Sequence, residues 1–200
     1  MYRLYDFLPS GNGYKVRLLL NLLDIPFTRV ELDILKAETR TPEFLQKNPN
    51  GKIPLLQITS DKFLAESNAI LYYLSQGTDY FPQDKYAQAQ VMQWLFFEQY
   101  SHEPFIATSR YWISILKQQE KYREQLEQKQ KLGYAALEVM EQHLEHHNYF
   151  VGETYTIADI ALYAYTHVAE EGGFSLQFPH ILAWFERIQA HPRHILITTK

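Results

Sequence analysis

Every stretch of this chain with the pattern of a β-strand lies before residue 65. After the polar, proline-containing segment TDYFPQDK at 78–85 no convincing strand follows. A sheet therefore has to be assembled from the first third, while the remainder has only helices to pack, and this restricts the fold to a small α/β domain followed by an all-helical one. Tyr2 to Phe7 is short, aromatic and apolar. Val16, Leu19, Leu20 and Leu23 recur at the spacing of one helical face, Pro26 closes that helix, and Val30, Leu32 and Ile34 alternate with Glu31 and Asp33 over 27–34. Together these segments form a βαβ unit.

Thr41 and Pro42 read as the cap and first position of a short helix that stops at Asn48-Pro49. After PNGKIP at 49–54, Leu55 to Thr59 and Lys62 to Leu64 pair as a hairpin about Ser60-Asp61, and Ser67 is placed to cap a helix carrying Ile70, Leu71 and Leu74. The order βαβαββα fills a domain of residues 1–77. A linker at 78–85 leads to a helical domain at 86–200, with helices expected over 86–116, 120–147, 156–169 and 179–190. Thr156 and Asp159 of TIAD make a capping-box start for the third of these.

Nineteen lysines and arginines stand against 23 acidic residues, so the net charge of -4 offers no cationic excess for a nucleic-acid backbone. No basic leader precedes an apolar core and no apolar run reaches the ~20 residues of a membrane span, so the expected setting is the cytoplasm. The count of zero cysteines removes disulfides, thiolate metal sites and a catalytic protein thiol. Any sulfur chemistry must use the sulfur of a ligand.

NPNGKIPLL and ESNAILYYL in the first domain, with TIADIALY in the second, resemble the cytosolic glutathione transferase superfamily in order and spacing along nearly the whole chain. The resemblance implies a thioredoxin-like N-terminal domain that binds glutathione, an all-helical bundle after it, no cofactor beyond glutathione as co-substrate, and a homodimer. It places Ser67, with the N–H groups of its helix N-terminus, on the γ-glutamyl carboxylate, and Glu66 on the amine. It makes the Ile53-Pro54 bond cis, so that the strand keeps an open edge on which the backbone of Ile53 pairs with the cysteinyl unit. Lys52 assists the glycyl carboxylate; Thr39, Arg40 and Lys36 remain open as further contacts.

Within LYDFLPSGNGYKVRLLL, Ser10 falls where serine-type (theta-like or chi-like) members hold the glutathione sulfur, and Asn12 is the rival donor, or alternatively the cap of the first helix. A free thiol with a pKa of ~8.5 is only ~3% ionised at neutral pH, and lowering that pKa by two units takes ~2.7 kcal/mol. A hydrogen bond to a charged group contributes ~1.5 to 3 kcal/mol and a helix N-terminus ~0.3 to 1, so Ser10 and the helix end suffice without a base. Tyr5 is assigned to the core, and Tyr14 reaches the thiol only by an unusual backbone path.

His102, Phe105, Arg110 and Tyr111, on an aromatic-rich helix, are the expected lining of a pocket for a hydrophobic electrophile between the domains. His143, His146 and His147 are read as a hydrated helix surface rather than a metal site, and Gly11 and Gly13 do not extend to a dinucleotide fingerprint. The expected activity is transfer of the glutathione thiolate to such electrophiles. The alternatives are glutathione-dependent reduction of disulfides or peroxides without a protein cysteine, and a non-catalytic ligand-binding or interaction protein on the same fold.

Overall fold

The computed structural model describes residues 1–200. Two compact units emerge: Met1–Gln76 together with Arg193–Lys200, and Gly77–Pro192. The first contains β1 (Tyr2–Asp6), α1 (Gly11–Leu22), β2 (Phe27–Glu31), two single 3-10 turns (Ile34–Lys36 and Glu38–Arg40), α2 (Pro42–Lys47), β3 (Leu55–Gln57), β4 (Phe63–Ala65) and α3 (Ser67–Ser75). Its sheet has the order β2-β1-β3-β4, with β1 parallel to β2 and antiparallel to β3, and β3 antiparallel to β4. The βαβαββα order is the one the patterning predicts. The strands are shorter than expected: β2 ends at Glu31, and the chain then turns through Asp33, whose carboxylate accepts from Leu35 N at 2.9 Å.

The apolar face of α1 is buried against this sheet, with Val16, Leu18, Leu19 and Leu20 fully enclosed. Tyr5 belongs to a separate core cluster with Phe44 and Leu55, its ring edge on Phe44 at 5.9 Å and its hydroxyl donating to Gln57 Oε1. The last eight residues, which patterning assigns to the helical domain, pack instead with the N-terminal unit. Tyr14 donates its hydroxyl to Ile195 O at 2.7 Å, and Arg17 Nη1 donates to Ile197 O and Thr199 O, both at 3.0 Å.

The second unit consists of α4 (Lys85–Phe97), α5 (Glu103–Arg110), α6 (Arg123–Leu144), α7 (Ile157–Thr166) and α8 (Pro179–Gln189). The single helix expected over 86–116 is interrupted by π-helical turns at Glu98–His102 and Tyr111–Ile115. Pro104 lies just past the first of them, where its missing N–H forgoes a helical bond. The buried helix α7 starts at the capping box of Thr156 and Asp159, and Asp159 also accepts from Trp184 Nε1 at 3.0 Å and Phe150 N at 3.1 Å. His143 and His147 stack on each other at 4.3 Å and each bonds a backbone carbonyl. No group of three or more His, Asp or Glu side chains is gathered to hold a metal ion, and no helix is long and apolar enough to cross a membrane.

Candidate functional site

In the N-terminal unit the ends of α1 and α3 meet. Ser10, in extended conformation, caps α1, its Oγ accepting from Gly13 N at 3.2 Å. A hydroxyl can accept and donate at once, so the cap leaves the Ser10 proton for a ligand. Asn12 lies inside the first turn and is therefore not the cap; its Oδ1 accepts from the Ser67 hydroxyl at 3.1 Å.

The loop before Ser10 is held from beneath. Arg17 Nη2 donates to Leu8 O at 2.7 Å, Glu31 accepts from Leu8 N at 3.0 Å, and Ser10 N donates to Phe7 O at 2.7 Å. Arg17 Nε also pairs with Asp6 Oδ2 at 2.9 Å. Burial raises the Asp6 pKa to about 6, against the opposing pull of Arg17. The carboxylate of Asp6 lies hard against Gly13: a Cβ on that glycine would come within 1.6 Å of Asp6 Oδ1. A side chain at residue 13 would thus have to displace the Asp6 carboxylate or the first turn of α1.

Ser67 is the first residue of α3 and does not cap it. Glu66 occupies the cap position with no side-chain cap hydrogen bond. Its φ of 68° and ψ of 114° place it in a region costly for any residue with a side chain, by ~1 to 3 kcal/mol. The first-turn N–H groups of α3 have no partner within the helix, and they meet the positive end of its dipole. Buried Ser67 donates to Asn12 and accepts from Lys15 Nζ at 3.4 Å, while Lys15 Nζ also donates to Asn68 Oδ1 at 3.5 Å.

The Ile53-Pro54 bond is cis. The strand that follows is not an open edge: β3 is paired on both sides over Leu55–Gln57, with Leu55 facing Tyr5 and Ala65. The expected open edge is therefore corrected: β4 returns antiparallel along the whole of β3, and Ile53 lies just before the paired residues. The loop ahead of it is braced by Asn48, whose Nδ2 donates to Lys52 O at 2.8 Å, and by Arg40, whose Nη1 donates to Asn50 O at 3.0 Å. Gly51 turns this loop at φ 61°, packed so closely that a Cβ would meet Arg40 Nη1 at 2.6 Å. The Lys52 side chain is exposed. Of the residues left open for the glycyl end, Thr39 is buried, Arg40 braces the loop, and Lys36 pairs with Asp33 at 3.2 Å.

The structure thus brings Ser10, Asn12 and Ser67 to one corner with Glu66. Sequence patterning overlooks Lys15, Asn68 and the Asp6–Arg17 pair. The available signal is the presence of Lys15 and Arg17 in a run of otherwise apolar residues, YKVRLLL, and both prove fully or almost fully buried. Tyr14 is turned away toward the C-terminal tail.

The four residues expected around an electrophile lie in the helical unit and differ in setting. His102 is fully buried and donates from Nε2 to Thr166 Oγ1 at 2.8 Å, since the Thr166 hydroxyl is itself spent on Leu162 O at 2.7 Å. Arg110 is buried in an ion pair with Glu171 at 2.7 Å. Both side chains serve the interior of this unit. Phe105 and Tyr111 are half-buried, Phe105 beneath the Lys129 ammonium at 5.3 Å.

Residues 1–76 match the family model described as "Glutathione S-transferase, N-terminal domain", and residues 92–192 match the one described as "Glutathione S-transferase, C-terminal domain". A glutathione S-transferase crystal structure from Pseudomonas fluorescens Pf-5 is 50% identical, with a TM-score of 0.97 over 99% of both chains. The disulfide-bond oxidoreductase YfcG of Escherichia coli K12 is 30% identical over 194 residues, covering 93% of this chain and 89% of its own. The structure of Ure2p in complex with glutathione is 25% identical, with a TM-score of 0.84 over 96% of this chain and 90% of that one. On the strength of both domain matches and of a shared fold at half-identical sequence, this chain belongs to the glutathione S-transferase family.

Proposed function

We propose that the protein is a glutathione transferase in which Ser10 and Asn12 hold the tripeptide's sulfur as a thiolate for attack on a hydrophobic electrophile. The observation that carries this reading is the convergence of the Ser10 hydroxyl, the Asn12 amide and the α3 N-terminus at one corner of the N-terminal unit. Ser67 and the first N–H groups of α3 receive the γ-glutamyl carboxylate, Glu66 receives the amine, the backbone of Ile53 pairs with the cysteinyl unit, and Lys52 meets the glycyl carboxylate. Pro54 sets the direction of Ile53. The protein then contributes orientation and charge stabilisation while glutathione supplies the nucleophile. Half-buried Phe105 and Tyr111 supply apolar surface for the electrophile, with His102 and Arg110 fixing the helix that carries them.

A second reading has its own support. With no cysteine in the chain and a disulfide-bond oxidoreductase among its relatives, the same thiolate serves for disulfide reduction. It attacks a disulfide, releases one thiolate and forms a mixed disulfide. A second glutathione then cleaves this to oxidised glutathione and the second thiol. Turnover of a chlorinated aromatic measured beside that of a small disulfide separates the two: transferase action predicts chloride release as the faster process, and faster formation of oxidised glutathione assigns the chain to reduction. Glutathione binding with neither turnover points to a ligand-binding role. The assembly we infer is a homodimer, supported by the exposed Tyr86 and Phe96 on α4 and Tyr100 on the π-helical turn after it; a monomer in sedimentation contradicts it.

A further inference from the structure

Lys15 is fully buried on α1, yet its ammonium lies within hydrogen-bond distance of two residues of another helix, Ser67 Oγ at 3.4 Å and Asn68 Oδ1 at 3.5 Å. These are the first two residues of α3, whose backbone N–H groups open toward the proposed γ-glutamyl carboxylate. A helix end offers about half a positive charge, and the ammonium beneath it brings a whole one to the same place. Its burial matters, because a charge sheltered from solvent is screened far less by salt than one on the surface. The bond from Lys15 also settles the direction of the Ser67 hydroxyl. The oxygen accepts from Lys15, so its proton points elsewhere, and in this structure it goes to Asn12 Oδ1.

We propose that Lys15 is a positioning residue for glutathione, supplying at Ser67 and Asn68 the positive charge that selects the γ-glutamyl α-carboxylate. This assignment rests on the glutathione-binding reading above. It predicts that affinity depends on that one carboxylate and that the dependence passes through Lys15. The ammonium does not touch the ligand; it acts by its field at the first turn of α3.

Calorimetry with glutathione and with γ-aminobutyryl-cysteinyl-glycine, which has hydrogen in place of that carboxylate, provides the test, applied to the wild-type protein and to Lys15→Met. The wild type is expected to bind glutathione roughly tenfold or more tightly than the analogue, as a charged hydrogen-bonded group warrants. Lys15→Met is expected to lose most of that preference while holding the analogue within about twofold. Equal losses for both ligands mean that Lys15 merely supports the packing of α1 on α3, and they overturn the proposal. Should the variant not fold, the Nζ resonance of Lys15 in the wild type decides: glutathione must shift it and the analogue must not, and equal shifts or none contradict the assignment. If wild-type protein binds neither ligand, the failure lies in the glutathione reading itself, and the Lys15 assignment falls with it.

Discussion

In the proposed site Ser10 and Asn12 both face the sulfur, and their surroundings give each a different liability. Ser10 joins a cap to a donor, so Ser10→Ala is expected to cost about 1 kcal/mol of stability and to raise the pKa of the bound thiol by roughly 1 to 2 units, read by ultraviolet titration of the thiolate. An unchanged thiol pKa in Ser10→Ala, with a raised one in Asn12→Ala, transfers the role to Asn12. Glu66 allows a prediction of opposite signs. Its left-handed φ is costly, so Glu66→Gly should raise the urea midpoint, by up to about 1 kcal/mol in stability, while weakening glutathione binding by removing the acceptor for the amine. A variant both less stable and unchanged in affinity contradicts that account. That Ser10, Asn12, Glu66 and Ser67 stand at the starts of helices is legible in short polar patterns, while the roles proposed for them come from the family resemblance. The strain at Glu66 and the bond from Ser67 to Asn12 are not legible there, since they arise only when two helix ends 55 positions apart in the chain are brought together.

Among the elements, the first helix carries most of the proposed site. It presents Ser10 and Asn12 at its start, Lys15 to α3, and Tyr14 and Arg17 to the C-terminal tail. Gly13→Ala puts a methyl group 1.6 Å from Asp6 Oδ1 and is expected to destabilise the protein by ~3 kcal/mol or more and to abolish glutathione binding; near-normal melting and affinity contradict the close packing described here. Deletion of 193–200 strips carbonyl partners from buried Arg17 and Tyr14, at ~1 to 3 kcal/mol for each donor left unsatisfied, and a lowered melting temperature checks it. Apolar spacing gives α1 and the hairpin directly. It assigns the tail to the wrong unit because the tail is held by its backbone carbonyls, which leave no mark on side-chain pattern. The π turns within 98–115 are invisible for a related reason: the helical period continues on both sides of them.

Across the whole molecule, each unit encloses one aspartate whose pKa burial raises to about 6: Asp6 beneath α1, and Asp159 at the start of α7. A carboxyl whose folded pKa lies above its unfolded value of 3.8 adds stability that is complete below that value and is lost as pH rises through about 6. For Asp159 the span amounts to about 3 kcal/mol. The stability difference between wild type and Asp159→Asn should therefore be larger in urea melts near pH 4 than near pH 7; a difference independent of pH contradicts the assignment. The proposed chemistry depends on a thiol that the protein itself lacks. Ultraviolet titration of glutathione bound to the wild-type protein reads that thiol: its pKa is expected about 2 units below the ~8.5 of a free thiol, and a bound thiol that titrates near ~8.5 overturns the proposed role of the site.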